Sequence, residues 1–176
     1  MKSQGASLLD GFSEADIDDL QDKNARPSPL GIVVFGVLLA FGLSGWMGNH
    51  QEPISIKAEA VDVTVQTPLV MRTGSIFETS IEVVASQPIK NLVIGASARL
   101  WQGVTINAMA PAAEKESYDD DTFRFYYGEL DKGKTFVLKI DGQVNPAFFG
   151  VNRGHVSVFD GESELASVPI AMRVLP

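Results

Sequence analysis

The chain has no cysteine and only two histidines among its 176 residues. The lack of cysteine excludes a disulfide framework, thiolate ligation of zinc or iron–sulfur clusters, and a cysteine nucleophile. A cupredoxin-type copper site is excluded too, because it needs a cysteine and more than one histidine. Basic residues are few: 14 Lys and Arg stand against 22 Asp and Glu, which gives a net charge of −8. This balance argues against nucleic-acid binding, which needs clustered cations.

Motifs that combine residues with catalytic spacing are also missing. His155 begins a strand pattern, but no Gly-x-Ser-x-Gly turn accompanies it. The acidic stretch 114–121 lacks EF-hand spacing, so we interpret it as a solvated loop rather than a calcium site. The segment 128–134 lacks the order of a phosphate loop and predicts a turn. We therefore expect a protein that is not an enzyme and has no catalytic residues, metal site, cofactor or small-molecule substrate.

A long stretch without any charged residue occupies positions 27–49. Ten strongly apolar residues between positions 30 and 43 contribute roughly −3 to −6 kcal/mol to membrane insertion. We predict a single transmembrane helix over residues 29–48, retained as a signal anchor, with Trp46 at the membrane interface. A cleavable signal peptide is the alternative, although the region before the apolar run is long for one.

The charges that flank this stretch predict its orientation. Lys23 and Arg26 lie close on its N-terminal side, whereas only Lys57 lies at a comparable distance beyond it. The positive-inside rule then predicts a cytoplasmic acidic tail, residues 1–28, and an external C-terminal domain. In a bacterium this describes a single-pass protein of the inner membrane with a periplasmic domain.

Small residues recur every four positions along the predicted helix. They share one face, on which another helix could approach closely. The residues of this candidate helix-packing face are Gly36, Ala40, Ser44 and Gly48.

The acidic tail offers a second candidate contact. Ser13-Glu-Ala-Asp resembles a capping box, which predicts a short helix over about 14–22. Ile17 and Leu20 lie three apart on one side of it and form a small apolar patch for a partner. The alternative is a disordered tail, because helices this short are marginal alone in water.

After a linker, residues 49–55, the hydrophobic period changes to two. Alternation, β-branched residues and regular turn signals predict an all-β, immunoglobulin-like antiparallel β-sandwich over residues 56–176. The turns at Asp160-Gly161 and Gly133 suggest that strands pair mainly with their sequence neighbours. The predicted strands are 56–66, 75–85, 89–100, 104–108, 122–128, 134–141, 154–159 and 164–174.

Aromatic residues mostly fit the inner face of this sandwich. Phe123, Phe125 and Tyr127 alternate on one strand face. The exception is the adjacent pair Phe148 and Phe149 in a predicted loop, because both rings cannot easily point inward. One of them is a candidate anchor for a partner or the membrane surface, and burial of both under the loop is the alternative.

The second half of the domain resembles a known family. The stretch Phe125-Tyr-Tyr-Gly-Glu-Leu-Asp-Lys-Gly-Lys-Thr-Phe, followed by Gln143-Val-Asn-Pro, Gly150 and Asp160-Gly161, is similar to bacterial immunoglobulin-like domains of surface and adhesion-related proteins. The resemblance spans residues 122–174 and implies a binding or spacing module.

Together these features predict a non-enzymatic, single-pass membrane protein. Its expected role is that of an accessory or structural subunit that binds and stabilises a larger integral membrane complex through its helix and sandwich. The alternatives are a membrane-tethered assembly factor or periplasmic chaperone and, from another class, an anchored hydrolase or metal-dependent enzyme.

Overall fold

The computed structural model describes residues 28–43 and 53–176. The chain divides into two compact units between Met47 and Gly48. In the first unit, helix α1 spans Pro29–Leu43 and begins with an Ile32 N–H to Ser28 C=O bond of 3.0 Å. Pro29 occupies the first helical position, where its missing N–H costs nothing.

Helix α1 is shorter than the predicted span over residues 29–48. Its 15 residues rise about 22 Å, against about 30 Å for the hydrocarbon core of a bilayer. Among residues 28–43 and 53–176, no helix has both the length and the apolar character required to cross a membrane. Residues 44–52 and 1–27, which include Ser44, Gly48, Ile17 and Leu20, lie outside the described part of the chain.

The second unit is a two-sheet sandwich of eleven strands within the described residues. The first six strands are β1 (Ile54–Lys57), β2 (Val61–Gln66), β3 (Val70–Arg72), β4 (Ile76–Ala85), β5 (Ile89–Ser97) and β6 (Val104–Ala110). The remaining five are β7 (Lys115–Asp119), β8 (Thr122–Leu130), β9 (Thr135–Val144), β10 (Gly150–Asp160) and β11 (Ser163–Leu175). A short 3-10 helix, Ala98–Trp101, follows β5.

One sheet has the strand order β1-β2-β4-β9-β6, and the other has the order β3-β11-β10-β5-β8-β7. The neighbours are antiparallel except β3 and β11, which run parallel. The predicted β-sandwich is therefore confirmed, but it is mixed rather than wholly antiparallel. The parallel pair arises because β3 joins the edge of the second sheet beside the last strand of the chain.

The core lies between the two sheets and follows the alternation in the sequence. Every second residue of β4, and of β11 from Ala166 onward, is buried, because successive side chains of a strand point to opposite faces. All buried apolar residues of the core cluster come from positions 61–174. The sandwich thus has its own core, which is what an independently folding domain requires.

Sequence neighbours pair less often than the turn signals predict. The Asp160-Gly161 hairpin is present and joins β10 to β11. The turn at Gly133, by contrast, connects strands of different sheets: β8 pairs with β5 and β7, while β9 pairs with β4 and β6. A tight turn with positive φ fits a hairpin and a crossover equally well, so its residues did not reveal the change of sheet.

Candidate functional site

Each sheet ends on both sides in a strand with a single partner. β6 is the last strand of the first sheet and β7 is the last strand of the second. Between them lies a cavity of about 440 Å³, which we call the edge groove. Its lining residues are Trp101, Val104, Ile106, Asn107, Ala108, Met109, Glu116, Phe123 and Phe125.

Aromatic rings form one wall of the edge groove. The indole of Trp101 stacks on Phe123 with ring centroids 5.8 Å apart and lies at the same distance from Phe125. Both phenylalanines lie on β8, two residues apart, so the strand presents their rings on the same face. Stacked rings give the wall a large apolar surface of fixed shape.

Trp101 is positioned by a buried side chain from another strand. The Asn152 side-chain amide donates to the Leu100 carbonyl at 3.1 Å and to the Gln102 carbonyl at 2.7 Å. These carbonyls belong to the residues on either side of Trp101. Because Asn152 lies on β10, in the middle of its sheet, it ties the 3-10 helix to a rigid part of the fold.

At Met109, which lines the edge groove, the two sheets are in contact. The Tyr127 hydroxyl donates to the Met109 sulfur at 3.4 Å, and the Tyr127 ring lies 4.6 Å from that of Phe136. Burial, and to a lesser extent the charge of Glu116, raises the pKa of Tyr127 to about 12. Tyr127 therefore stays protonated and keeps its hydrogen bond at neutral pH.

The opposite wall and rim of the edge groove are less apolar. Asn107 is the extra residue of a bulge where β6 slips relative to β9, and it is exposed. Glu116 on β7 lies across from Phe125 on β8 and adds one carboxylate to the lining. The edge groove thus combines an aromatic surface for apolar groups with one carboxylate for a basic group.

A second hollow, of about 600 Å³, lies on the other side of the second sheet and has a polar lining. It brings His155, Ser97, Ser167 and Asp121 together, which are the residue types of a hydrolytic triad. Their hydrogen bonds serve the fold instead: the Ser97 hydroxyl accepts from the His155 backbone N–H, and Ser167 bonds Ser157. Within the described residues no bond joins the His155 ring to a hydroxyl or carboxylate.

The acidic stretch 114–121 forms a strand, not the predicted loop. Its middle is β7, which pairs with β8, and its end is a turn in which Asp120 and Asp121 have positive φ. The sequence did not predict this strand, because both of its faces are polar and no apolar alternation marks it. No group of three or more His, Cys, Asp or Glu able to hold a metal ion occurs in the described part of the chain.

The sequence-predicted contact residues have distinct positions. Phe149 is 70% exposed, whereas Phe148 is half-buried, packs on the core and covers Gly103. On helix α1, Gly36 and Ala40 are exposed. The contacts of these residues with a partner stay predictions.

The edge groove was not predicted from the sequence. Alternation shows which aromatic residues face inward, but it does not show that the opposing sheet ends short of them.

No protein-family model matches the sequence, and no curated protein matches it. Among solved structures, CaCohA2 from Clostridium acetobutylicum has a TM-score of 0.46 and 13% identity, covering 67% of this chain and 92% of that chain. A non-cellulosomal cohesin from Archaeoglobus fulgidus has a TM-score of 0.41 and 7% identity, with coverage of 65% and 91%. A CARDB domain from Pyrococcus furiosus, in complex with di-metal ions, has a TM-score of 0.40 and 18% identity, with coverage of 68% and 93%.

These likenesses concern the fold alone.

Proposed function

We propose that the chain is a membrane-anchored protein-binding module that serves as an accessory or structural subunit of a larger membrane complex. The observation that carries this proposal is the edge groove between two strands that each have one partner. An edge strand has a row of backbone N–H and C=O groups free to pair with an added strand. The groove beside it offers a pocket for an apolar side chain of that strand, which is how β-strand addition gains specificity.

The charge around β7 indicates which segment would bind. Glu114, Glu116 and Asp119 lie in or next to this strand, against one lysine, Lys115, whose ammonium lies 5.1 Å over the Tyr126 ring. We therefore expect an extended segment of a partner protein that places an apolar side chain against Trp101 and a basic residue near Glu116. Charge complementarity of this kind favours correct partners and speeds association.

The proposed membrane anchor is the segment 29–48 of the uncharged stretch, and helix α1 is its first part. The described helix has no charged residue and buries none of its side chains. A helix that is apolar on all sides is typical of a membrane segment rather than of a surface helix. In the orientation that Lys23 and Arg26 favour, the tail is cytoplasmic and the sandwich is external.

Cysteine labelling tests this orientation, because the native chain has no cysteine to interfere. Single cysteines replacing Ser7 and Ser163 are treated with an impermeant maleimide on intact cells. We expect labelling at position 163 only, and labelling at position 7 before lysis would contradict the orientation.

Binding in the edge groove is tested by photo-crosslinking with the full-length chain in its native membrane. A photoreactive amino acid at Asn107, on the groove rim, should crosslink a partner subunit, and the same amino acid at Val137, on the outer face of the first sheet, should not. Glu116→Lys reverses the rim charge and should abolish the crosslink. The matched control is Glu82→Lys, an equal charge reversal on the outer face of the first sheet, which should leave the crosslink intact.

A permanent subunit and a transient assembly factor differ in how they purify. A permanent subunit stays with its complex at constant stoichiometry after mild detergent extraction, whereas an assembly factor is found only with incomplete complexes.

The crosslinking experiment can also contradict the proposed binding site. If both charge reversals leave the crosslink from Asn107 unchanged, the edge groove is not the binding site.

A further inference from the structure

Three strands of the second sheet form an exposed face that the edge groove does not include. Along this face β3, β11 and β10 lie side by side, so Val70, Arg173 and Val151 form one row. Arg72 and Leu175 form the next row, and Arg153 lies beyond Val151 on the same side of β10. Phe149 precedes Gly150, whose partner is Val174, so Phe149 lies at the end of the strand that runs beside Leu175. We call this set the arginine face.

The apolar side chains of the arginine face are largely uncovered. Phe149 is 70% exposed, Val70 52%, Leu175 42% and Val151 40%. Single exposed apolar residues are ordinary, but a contiguous group of them marks an interaction surface.

The charge of the arginine face is opposite to that of the chain as a whole. Arg99 and Arg124 form ion pairs with Asp121 and Glu162. Within the described residues Arg72, Arg153 and Arg173 form none. Residues 70–72, 149–155 and 169–175 of these strands include no carboxylate, and the nearest acidic side chains to Arg153 in its hollow are those of Asp120 and Asp121 on the neighbouring turn. A protein of net charge −8 thus concentrates unpaired cations beside exposed apolar groups.

The arginine face is at the end of the sandwich where the chain enters it. The first strand begins at Ile54, which pairs with Val65 near the end of β2, and β3 follows β2 after a short connection. Lys57, Lys90 and Lys132 belong to strands and turns at the other end. The first described strand of the sandwich therefore begins at the same end as the arginine face.

We propose that the arginine face binds the surface of an anionic lipid bilayer. Arginines would contact lipid phosphates, which guanidinium groups bind in bidentate geometry, while Phe149 and its apolar neighbours enter the interfacial layer. In biological terms the inference rests on the membrane anchoring proposed above. It is independent of the edge groove.

Flotation with lipid vesicles tests this inference on fragment 53–176, which contains the complete core. The fragment should float with vesicles of phosphatidylcholine mixed with phosphatidylglycerol and not with phosphatidylcholine alone, and added salt should reduce flotation. Replacing Arg72, Arg153 and Arg173 together by Gln should lower the partition coefficient about a hundredfold. Phe149→Ala should lower it about tenfold.

A matched control removes the same charge from the opposite end through Lys57→Gln, Lys90→Gln and Lys132→Gln. Retained flotation of this control supports the proposal, and an equal loss overturns it by showing a dependence on net charge alone. Absence of flotation with the anionic vesicles also overturns it and leaves an acidic protein segment as the occupant. The Glu116→Lys variant should float normally, so failure of the groove proposal and failure of this one are distinguishable.

Discussion

The side-chain amide of Asn152 donates a 2.7 Å hydrogen bond to the Gln102 carbonyl and holds the segment that carries Trp101. Asn152 is almost fully buried and also bonds Leu100. Its position in the middle of a sheet fixes an aromatic wall at the sandwich edge. A polar residue of the core thus determines the shape of an apolar groove.

Removing this amide should loosen the wall. Asn152→Ala leaves two carbonyl groups without their donor, so we expect a loss of about 1–3 kcal/mol in the free energy of unfolding. Trp101 is the single tryptophan of fragment 53–176, which makes its fluorescence a direct probe. In the variant its emission should shift to the red and become easier to quench. The matched control is Asn91→Ala at the far end of β5, an asparagine whose hydrogen bonds are made by its backbone, for which both properties should stay unchanged.

The sequence was sufficient to predict the elements in which one face is buried. Burial alternates along β4 and, from Ala166 onward, along β11, and the predicted ranges 75–85 and 164–174 nearly coincide with Ile76–Ala85 and Ser163–Leu175. Burial of every second side chain imposes this pattern on the sequence. The polar strand β7 and the three-residue strand β3 were missed because neither shows such a pattern.

The pairing of strands that are distant in sequence could not be predicted from local turn and alternation patterns. The predicted strand 56–66 is two strands, because the chain turns at Ala58, whose N–H bonds the Val61 carbonyl at 2.9 Å. The pairing of β8 with β5 and of β9 with β4 joins residues distant in sequence. The edge groove depends on which strands end each sheet, and that is decided by these pairings rather than by any local motif.

The raised pKa of Tyr127 predicts how stability changes at alkaline pH. Burial and Glu116 raise the pKa to about 12 in the folded chain, whereas the unfolded chain has the ordinary value of 10.0. The unfolded state therefore releases this proton first. The stabilisation is complete below about pH 10 and is lost as the pH rises toward 12.

Tyr127→Phe tests this dependence. The variant should lose less stability than the native fragment over that pH interval, measured by urea unfolding. In tyrosinate absorbance, the component that titrates last should disappear. If the last component remains, its source is another tyrosine and the assignment to Tyr127 is wrong.

The small-residue face of helix α1 allows a test of helix packing. A Cβ at Gly36 would meet no other atom within 4 Å, so larger side chains do not clash inside the described chain. Replacing Gly36 and Ala40 by Leu should keep membrane insertion, because leucine favours it. It should weaken association with the complex, because close helix approach needs small residues. Co-purification at the native level would show that this face contacts lipid.

The adjacent residues Phe148 and Phe149 form a matched pair for separating a core role from a surface role. Phe148 packs on the core and covers Gly103, where a Cβ would overlap its ring. Phe148→Ala should therefore cost about 2–3 kcal/mol of stability, less than full burial would, because the ring is half-buried. Phe149 is mostly exposed, so Phe149→Ala should change stability by less than about 0.5 kcal/mol.

Thermal and urea unfolding of fragment 53–176 with each substitution measures the difference. A stable Phe149→Ala variant that has lost vesicle or partner binding would assign this ring to an interface, because its only measurable contribution would then be intermolecular. Equal destabilisation by the two substitutions would show that both rings belong to the core. The arginine face would in that case lose its largest apolar group, and the predicted tenfold effect on flotation would have to reflect unfolding instead.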